Sequence, residues 1–136
     1  MSVVIDASVA LKWVLDEPGR DQADALLDDD LIAPILWLIE AGNALWRRTA
    51  LREISAEEAR ERLHELINAP VASLAIEPHL ESALTLATEI DHPVYDCLYL
   101  ALALHHDTHV VTADRRFHAA AERLTKTAGR VRLLTH

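Results

Sequence analysis

Four acidic residues of the 136-residue chain stand where a carboxylate can do chemistry. Asp6 directly follows the β-branched run Val3-Val4-Ile5, and Asp114 follows a second such run, "HVVTA", at 109–113. Asp96 lies in the opening turn of "HPVYDCLYLALALHH", residues 92–106, which is otherwise almost wholly apolar after that turn. Glu40 interrupts the apolar stretch "LWLIEAGNALW". Acids are seldom buried without a partner, because losing water costs the charged form several kcal/mol. Each has a local explanation: Asp6, Asp96 or Asp114 can cap a helix, and Arg47 can pair with Glu40 from two turns away. Jointly they imply more. Two carboxylates ~5 Å apart repel by roughly 3 kcal/mol at an effective dielectric of 20. A cluster of four must take up protons or bind a hard cation. All-oxygen ligands suit Mg²⁺ or Mn²⁺, which keep waters that can attack a phosphodiester.

The elements that would gather these acids are legible from spacing. Short apolar runs predict strands at "VVID", "LIAP", "SLAIE" (73–77), "HVVTA" and "RVRLL" (130–134). Between them, helical spacing predicts helices over 7–17, 20–30, 36–51, 55–68, 78–91, 92–106 and 115–124. Ser55 and Glu58 make a capping box, and the five prolines all fall at boundaries. Strands alternating with helices predict an α/β fold, a mainly parallel sheet of about five strands covered on both faces. The whole of 1–136 reads as a single domain. Ligand sites in such sheets lie at the carboxyl ends of the strands, where Asp6 and Asp114 fall. Glu40, Asn43 and Arg47 recur at helical spacing as a polar stripe on a helix that is otherwise apolar nearly all round.

Composition narrows the function. A formal net charge of −9 excludes holding nucleic acid by a broadly basic face, but leaves room for local engagement through a cation. Cys97 is the only cysteine, which excludes an intrachain disulfide and a cysteine-based zinc site, and it reads as a core residue. No segment reads as a signal peptide or a membrane span, so a soluble cytoplasmic protein is expected. His105, His106 and His109 straddle a helix end and a strand start, so divergent side chains are expected rather than a zinc site. Asp28-Asp29-Asp30 reads as a solvated turn. Trp13, Trp37 and Trp46 read as core, with an interface as the alternative. Arg47 and Arg115 are candidates for contacting substrate phosphates, whereas Lys12 and Arg116 read as solvated charges.

Taken in order, "VVIDASVALKW", "LIEAGNALW", "HPVYDCLYLALAL" and "VVTADRRF" resemble the PIN domain family, and most of all the VapC-type toxins of toxin–antitoxin pairs. The resemblance covers nearly the whole chain. It implies an α/β/α sandwich and a catalytic set of Asp6, Glu40, Asp96 and Asp114, with Asp6, Asp96 and Asp114 holding the metal. Ser8 and Thr112 match the family's hydroxyl positions; each can equally bond local backbone. Asn43 matches a polar position one turn beyond Glu40. The implied activity is a Mg²⁺- or Mn²⁺-dependent endoribonuclease, a homodimer silenced by a VapB-type antitoxin, with transfer or ribosomal RNA as substrate. Some relatives carry a further Asp or Asn after the fourth acid; Arg115, Arg116 and Phe117 stand here, so one cation is expected. The alternatives are a catalytically inactive PIN-like protein-binding module and another Mg²⁺-dependent phosphoesterase.

Overall fold

A computed structural model describes residues 2–134. The single-domain expectation also covered residues 1, 135 and 136, which lie outside the described residues. Five strands, β1 (Ser2–Ile5), β2 (Asp30–Pro34), β3 (Val71–Leu74), β4 (Val110–Thr112) and β5 (Val131–Leu133), form one sheet. Its order is β3-β2-β1-β4-β5 and every pairing is parallel. Seven α-helices connect them: α1 (Ala7–Ala10), α2 (Arg20–Ala25), α3 (Leu36–Ala50), α4 (Ala56–Ile67), α5 (Leu80–Ile90), α6 (Val94–His105) and α7 (Arg115–Ala121). Val4 of the central strand faces Ile32 on one side and Val110 on the other. Val4 and Ile5 are fully buried, as expected for a parallel strand covered on both faces.

The chain winds outward from β1 through β2 to β3, then crosses back to β4 on the other side of β1. The strand order therefore reverses between β1 and β4. That reversal opens a crevice at the carboxyl ends of these two strands. Helix α6 is the crossover's last leg, and it packs on β1, β2, β4 and α5. Seven consecutive residues, Cys97–Ala103, are buried, which explains why the segment is apolar without clear amphipathic spacing.

Several boundaries differ from the sequence expectation. The third strand runs over Val71–Leu74 rather than 73–77, because its register against β2 pairs Val71 with Leu31 and Leu74 with Pro34. The helix expected from Pro78 begins at Leu80, after a 3-10 turn over Glu77–His79. The first helix is short: α1 passes into a 3-10 turn, Leu11–Trp13, as the chain bends to enter α2. Gly19 makes that bend at φ 92°, a left-handed conformation that glycine adopts without steric cost. The capping box forms as predicted: Ser55 Oγ accepts from Glu58 N–H at 3.1 Å and Glu58 Oε1 from Ser55 N–H at 3.0 Å.

Helix α3 is not apolar all round in its setting. Leu36, Trp37, Ala41 and Leu45 face the core, while Ile39 is 74% and Trp46 61% exposed. Among the tryptophans, Trp37 is buried with its indole N–H on Ser73 Oγ, and Trp13 donates to the Ala23 carbonyl. Of the three histidines expected to diverge, two have neighbouring rings and the third lies apart. His105 and His106 rings lie 5.1 Å apart, and His79 joins His105 at 5.1 Å, while His109 leads into β4. Cys97 is fully buried, and burial pushes its thiol up to about 12, so it is inert.

Candidate active site at the sheet's switch point

Asp6 leaves β1 and becomes the N-cap of α1, accepting from Val9 N–H at 3.3 Å. The same Oδ1 accepts from Ser8 Oγ at 2.5 Å, and Oδ2 accepts from Thr112 Oγ1. Both hydroxyls also bond backbone: Ser8 Oγ accepts from Ala113 N–H and Thr112 Oγ1 from Asp114 N–H, each at 3.0 Å. The two roles considered for these residues therefore coexist. Together they tie the end of β1 to the end of β4, so the carboxylates that leave the two strands are fixed relative to each other. Asp6 is 6% exposed, and burial raises its pKa to about 7. The Ser8 and Thr112 hydroxyls and the Val9 amide oppose that rise, and the Asp96 charge adds to it.

Asp114 is the N-cap of α7, where Oδ1 accepts from Arg116 N–H at 2.9 Å and Phe117 N–H at 3.3 Å. Asp96 is not a cap. Pro93 holds that position in α6 and Asp96 is the third helical residue, so its side chain is free to face the crevice. Its Oδ2 is 2.6 Å from His92 Nε2. Burial raises its pKa, the His92 bond and charge lower it, and Asp114 raises it further. Glu40 does not pair with Arg47. Its Oε1 accepts from the Tyr99 hydroxyl at 2.5 Å, across from α3 to α6. Burial raises the Glu40 pKa, Tyr99 opposes, and the Asp96 charge adds to the rise.

Asp96 thus repels each of the other three acids, which makes it the electrostatic hub of the cluster. Among the described residues none of the four is paired with Lys or Arg. In Glu40, Asp96 and Asp114 one oxygen is held by a protein donor and the other accepts no hydrogen bond from the described residues. Asp6 alone has both oxygens occupied by donors. No three His, Cys, Asp or Glu side chains among the described residues are gathered tightly enough to enclose an ion. Mg²⁺ does not require that. It is commonly bound through one or two carboxylates plus retained waters, so the donor set fits a hydrated hard cation and fits zinc poorly.

Beside Glu40 runs an open groove of about 370 Å³, lined by Leu36, Ile39, Asn43, Ala44, Arg47 and Tyr95. It brings together the polar stripe of Glu40, Asn43 and Arg47. Arg115 is exposed at the first position of α7, next to Asp114. Lys12 is committed elsewhere, to the Pro18 carbonyl and Glu17. A larger cavity, about 780 Å³, lies between α5 and the far end of α6 and contains none of the four acids. Two residues escaped the sequence reading, Tyr99 and His92. Both stand within one helical turn of Asp96, three residues after it and four before, and that spacing was the available signal.

Several known proteins are similar to this chain. A ribonuclease VapC3 of Pyrobaculum aerophilum is 32% identical over 121 residues, which span 85% of this chain and 92% of that protein. A ribonuclease VapC1 of Mycobacterium tuberculosis is 38% identical over 90 residues, 65% of each chain. The crystal structure of PAE2754 from Pyrobaculum aerophilum superposes with a TM-score of 0.76 at 22% identity, covering 98% of this chain and 90% of that one. VapBC2 from Rickettsia felis, bound to a DNA fragment from its promoter, has a TM-score of 0.64 at 12% identity, covering 98% and 97%. These two share the fold. The family model described as the PIN domain matches residues 3–123, from within β1 to just past α7 and so across all four acids. The chain belongs to the PIN domain family.

Proposed function

We propose that this protein is a Mg²⁺- or Mn²⁺-dependent endoribonuclease, the toxin of a toxin–antitoxin pair acting in the cytoplasm. The observation that carries the reading is four electrostatically coupled carboxylates with no Lys or Arg partner among the described residues, three of them with an oxygen that accepts no hydrogen bond from those residues. Their place at the strand-order reversal of a PIN-domain sheet, and the ribonuclease names of the chain's relatives, support it. Asp6, Asp96 and Asp114 would hold the cation, some directly and some through its retained waters. When bound, a divalent cation supplies charge neutralisation at the phosphate and acidifies water. Glu40 takes the proton of the attacking water at its free Oε2. Attack in line with the leaving 3′ oxygen breaks that P–O bond, and the 3′ oxygen takes a proton from solvent water, giving a 5′-phosphate and a 3′-hydroxyl without help from the 2′-hydroxyl. Ser8 and Thr112 orient Asp6. Arg47 contacts substrate along the open groove, where Asn43 supports the site one turn beyond Glu40, and Arg115 contacts substrate beside Asp114. The partners are an RNA, a VapB-type antitoxin that offers a basic residue to the acidic site, and a second copy of the chain.

The test is cleavage of total cellular RNA by purified, antitoxin-free protein with Mg²⁺, Mn²⁺ or EDTA, with Asp96→Asn in parallel. Discrete fragments that need the cation and fall at least about 100-fold in Asp96→Asn are expected. A folded protein that neither cleaves nor binds Mn²⁺ would be a protein-binding module instead. Removing the Tyr99 hydroxyl by Tyr99→Phe should raise the Glu40 proton affinity further, since that hydrogen bond is what opposes burial. Glu40 must be ionised to accept a proton, so the acidic limb of the cleavage pH profile should move to higher pH. A profile with an unmoved limb would remove Glu40 from the role of base.

A further inference from the structure

His92 lies outside every helix, between α5 and α6, yet it is held more firmly than a connecting residue needs to be. Its N–H donates to the Ala87 carbonyl at 3.1 Å, and its own carbonyl accepts from the buried Cys97 thiol at 3.8 Å. The preceding turn is clamped by Arg123, whose guanidinium donates to the Ile90 and Asp91 carbonyls. The imidazole lies flat on Phe117, with ring centroids 5.4 Å apart and planes within 9°. Only 11% of the His92 side chain is exposed. Phe117 in turn has its N–H on Asp114 Oδ1. The imidazole therefore joins the two elements that carry Asp96 and Asp114, and from that fixed platform Nε2 reaches Asp96 Oδ2 at 2.6 Å.

We propose that His92 is a positioning residue of the metal site: its Nε2–H pins Asp96 Oδ2 and thereby presents Oδ1 to the divalent cation. The inference rests on the metal-nuclease reading above. A carboxylate side chain rotates easily about its last bond, and a ligand that must be frozen on binding loses affinity for the entropy lost. An outer hydrogen bond that fixes a ligating group typically changes metal affinity 10–100-fold. Ser8 and Thr112 do this for Asp6 and the α7 amides do it for Asp114. His92 is the corresponding donor for Asp96. A merely local role, steadying the first turn of α6, would be felt in folding alone.

The experiment is calorimetric titration of Mn²⁺ into wild type, His92→Phe and His92→Gln, with the melting temperature of each measured in EDTA. His92→Phe keeps a flat ring on Phe117 and removes the donor. His92→Gln returns an N–H near the Nε2 position. The expected result is Mn²⁺ binding about 10–100-fold weaker in His92→Phe and restored to within about threefold in His92→Gln. Equal affinity in wild type and His92→Phe would overturn the inference and leave the metal-nuclease reading intact. Absence of Mn²⁺ binding in wild type would overturn both. If His92→Phe does not fold, the wild-type protein supplies the answer through its imidazole ¹⁵N spectrum, with the His92 signal assigned by its loss in His92→Gln. That signal should shift on saturation with Mg²⁺, and a signal unmoved while Mg²⁺ binds would overturn the inference.

Discussion

Asp6→Asn is expected to abolish RNA cleavage and, in EDTA at pH 8, to make the protein more stable than wild type. The two effects share one cause. Asp6 is buried, and its proton affinity in the folded state is raised to about 7 against an ordinary value of 3.8. Between those values the folded protein holds a proton that the unfolded chain has released. Stability of the metal-free protein from this group therefore falls as pH rises from about 4 to about 7, and the full penalty persists above. At about 1.4 kcal/mol for each tenfold change in proton affinity, the penalty is on the order of 4 kcal/mol. The Asn side chain has no charge to desolvate, so that slope disappears. Burial raises Glu40 and Asp96 in the same direction, so a shallower slope from those groups remains. The check is thermal unfolding of both proteins at pH 5 and pH 8 in EDTA. The variant should lose less stability across that range, and a slope equal to wild type would show that Asp6 does not carry the strain. Saturating Mg²⁺ should reverse the order at pH 8, because only the wild type binds the ion well and binding to the folded state adds stability.

Thr112→Val is the second large effect. The exchange keeps nearly the same volume at a fully buried position, so it isolates the hydroxyl. That hydroxyl donates to Asp6 Oδ2 and accepts from Asp114 N–H, so its loss strips a donor from a buried carboxylate and leaves an amide unpaired. Hydrogen bonds to charged groups are worth roughly 1.5–3 kcal/mol, and the part-buried amide left without its acceptor adds a smaller cost, below the ~1–3 kcal/mol of a fully buried group. Cleavage should fall about 10–100-fold, the range seen when the group orienting a metal ligand is lost. Thr112→Ser keeps the hydroxyl and should recover most of the activity. Comparable rates for Thr112→Val and wild type would mean that the tie between β1 and β4 matters to folding only. The Ser8 hydroxyl sits 3.5 Å from that of Thr112 and bonds the other Asp6 oxygen, which makes the double variant informative. Since both hydroxyls act on one carboxylate, their effects should not add.

Asp6 and Asp114 were readable because each follows a β-branched run, and an α/β sheet delivers such residues to one edge whatever lies between. The capping box of α4, the parallel sheet, the buried character of α6 and the core role of Cys97 were equally readable, because composition and local spacing encode them. The ordered set of motifs carried the family, and the family carried Glu40, which by itself looked like an acid in need of a partner. Spacing within one helix suggested Arg47 for that partner. The actual donor is Tyr99, and such a pair across two helices has no fixed separation in sequence. The spacing of His92 from Asp96 was legible, but the stacking of its ring on Phe117 from another element was not, nor was which tryptophan is exposed, because exposure depends on what covers α3. The acids, the elements that carry them and the family all follow from residue types and their spacing along the chain. Tertiary structure alone decided which oxygens are already occupied, which carboxylate feels the other three, and which side chains hold each one still, because those depend on distances between elements that the chain brings together only on folding.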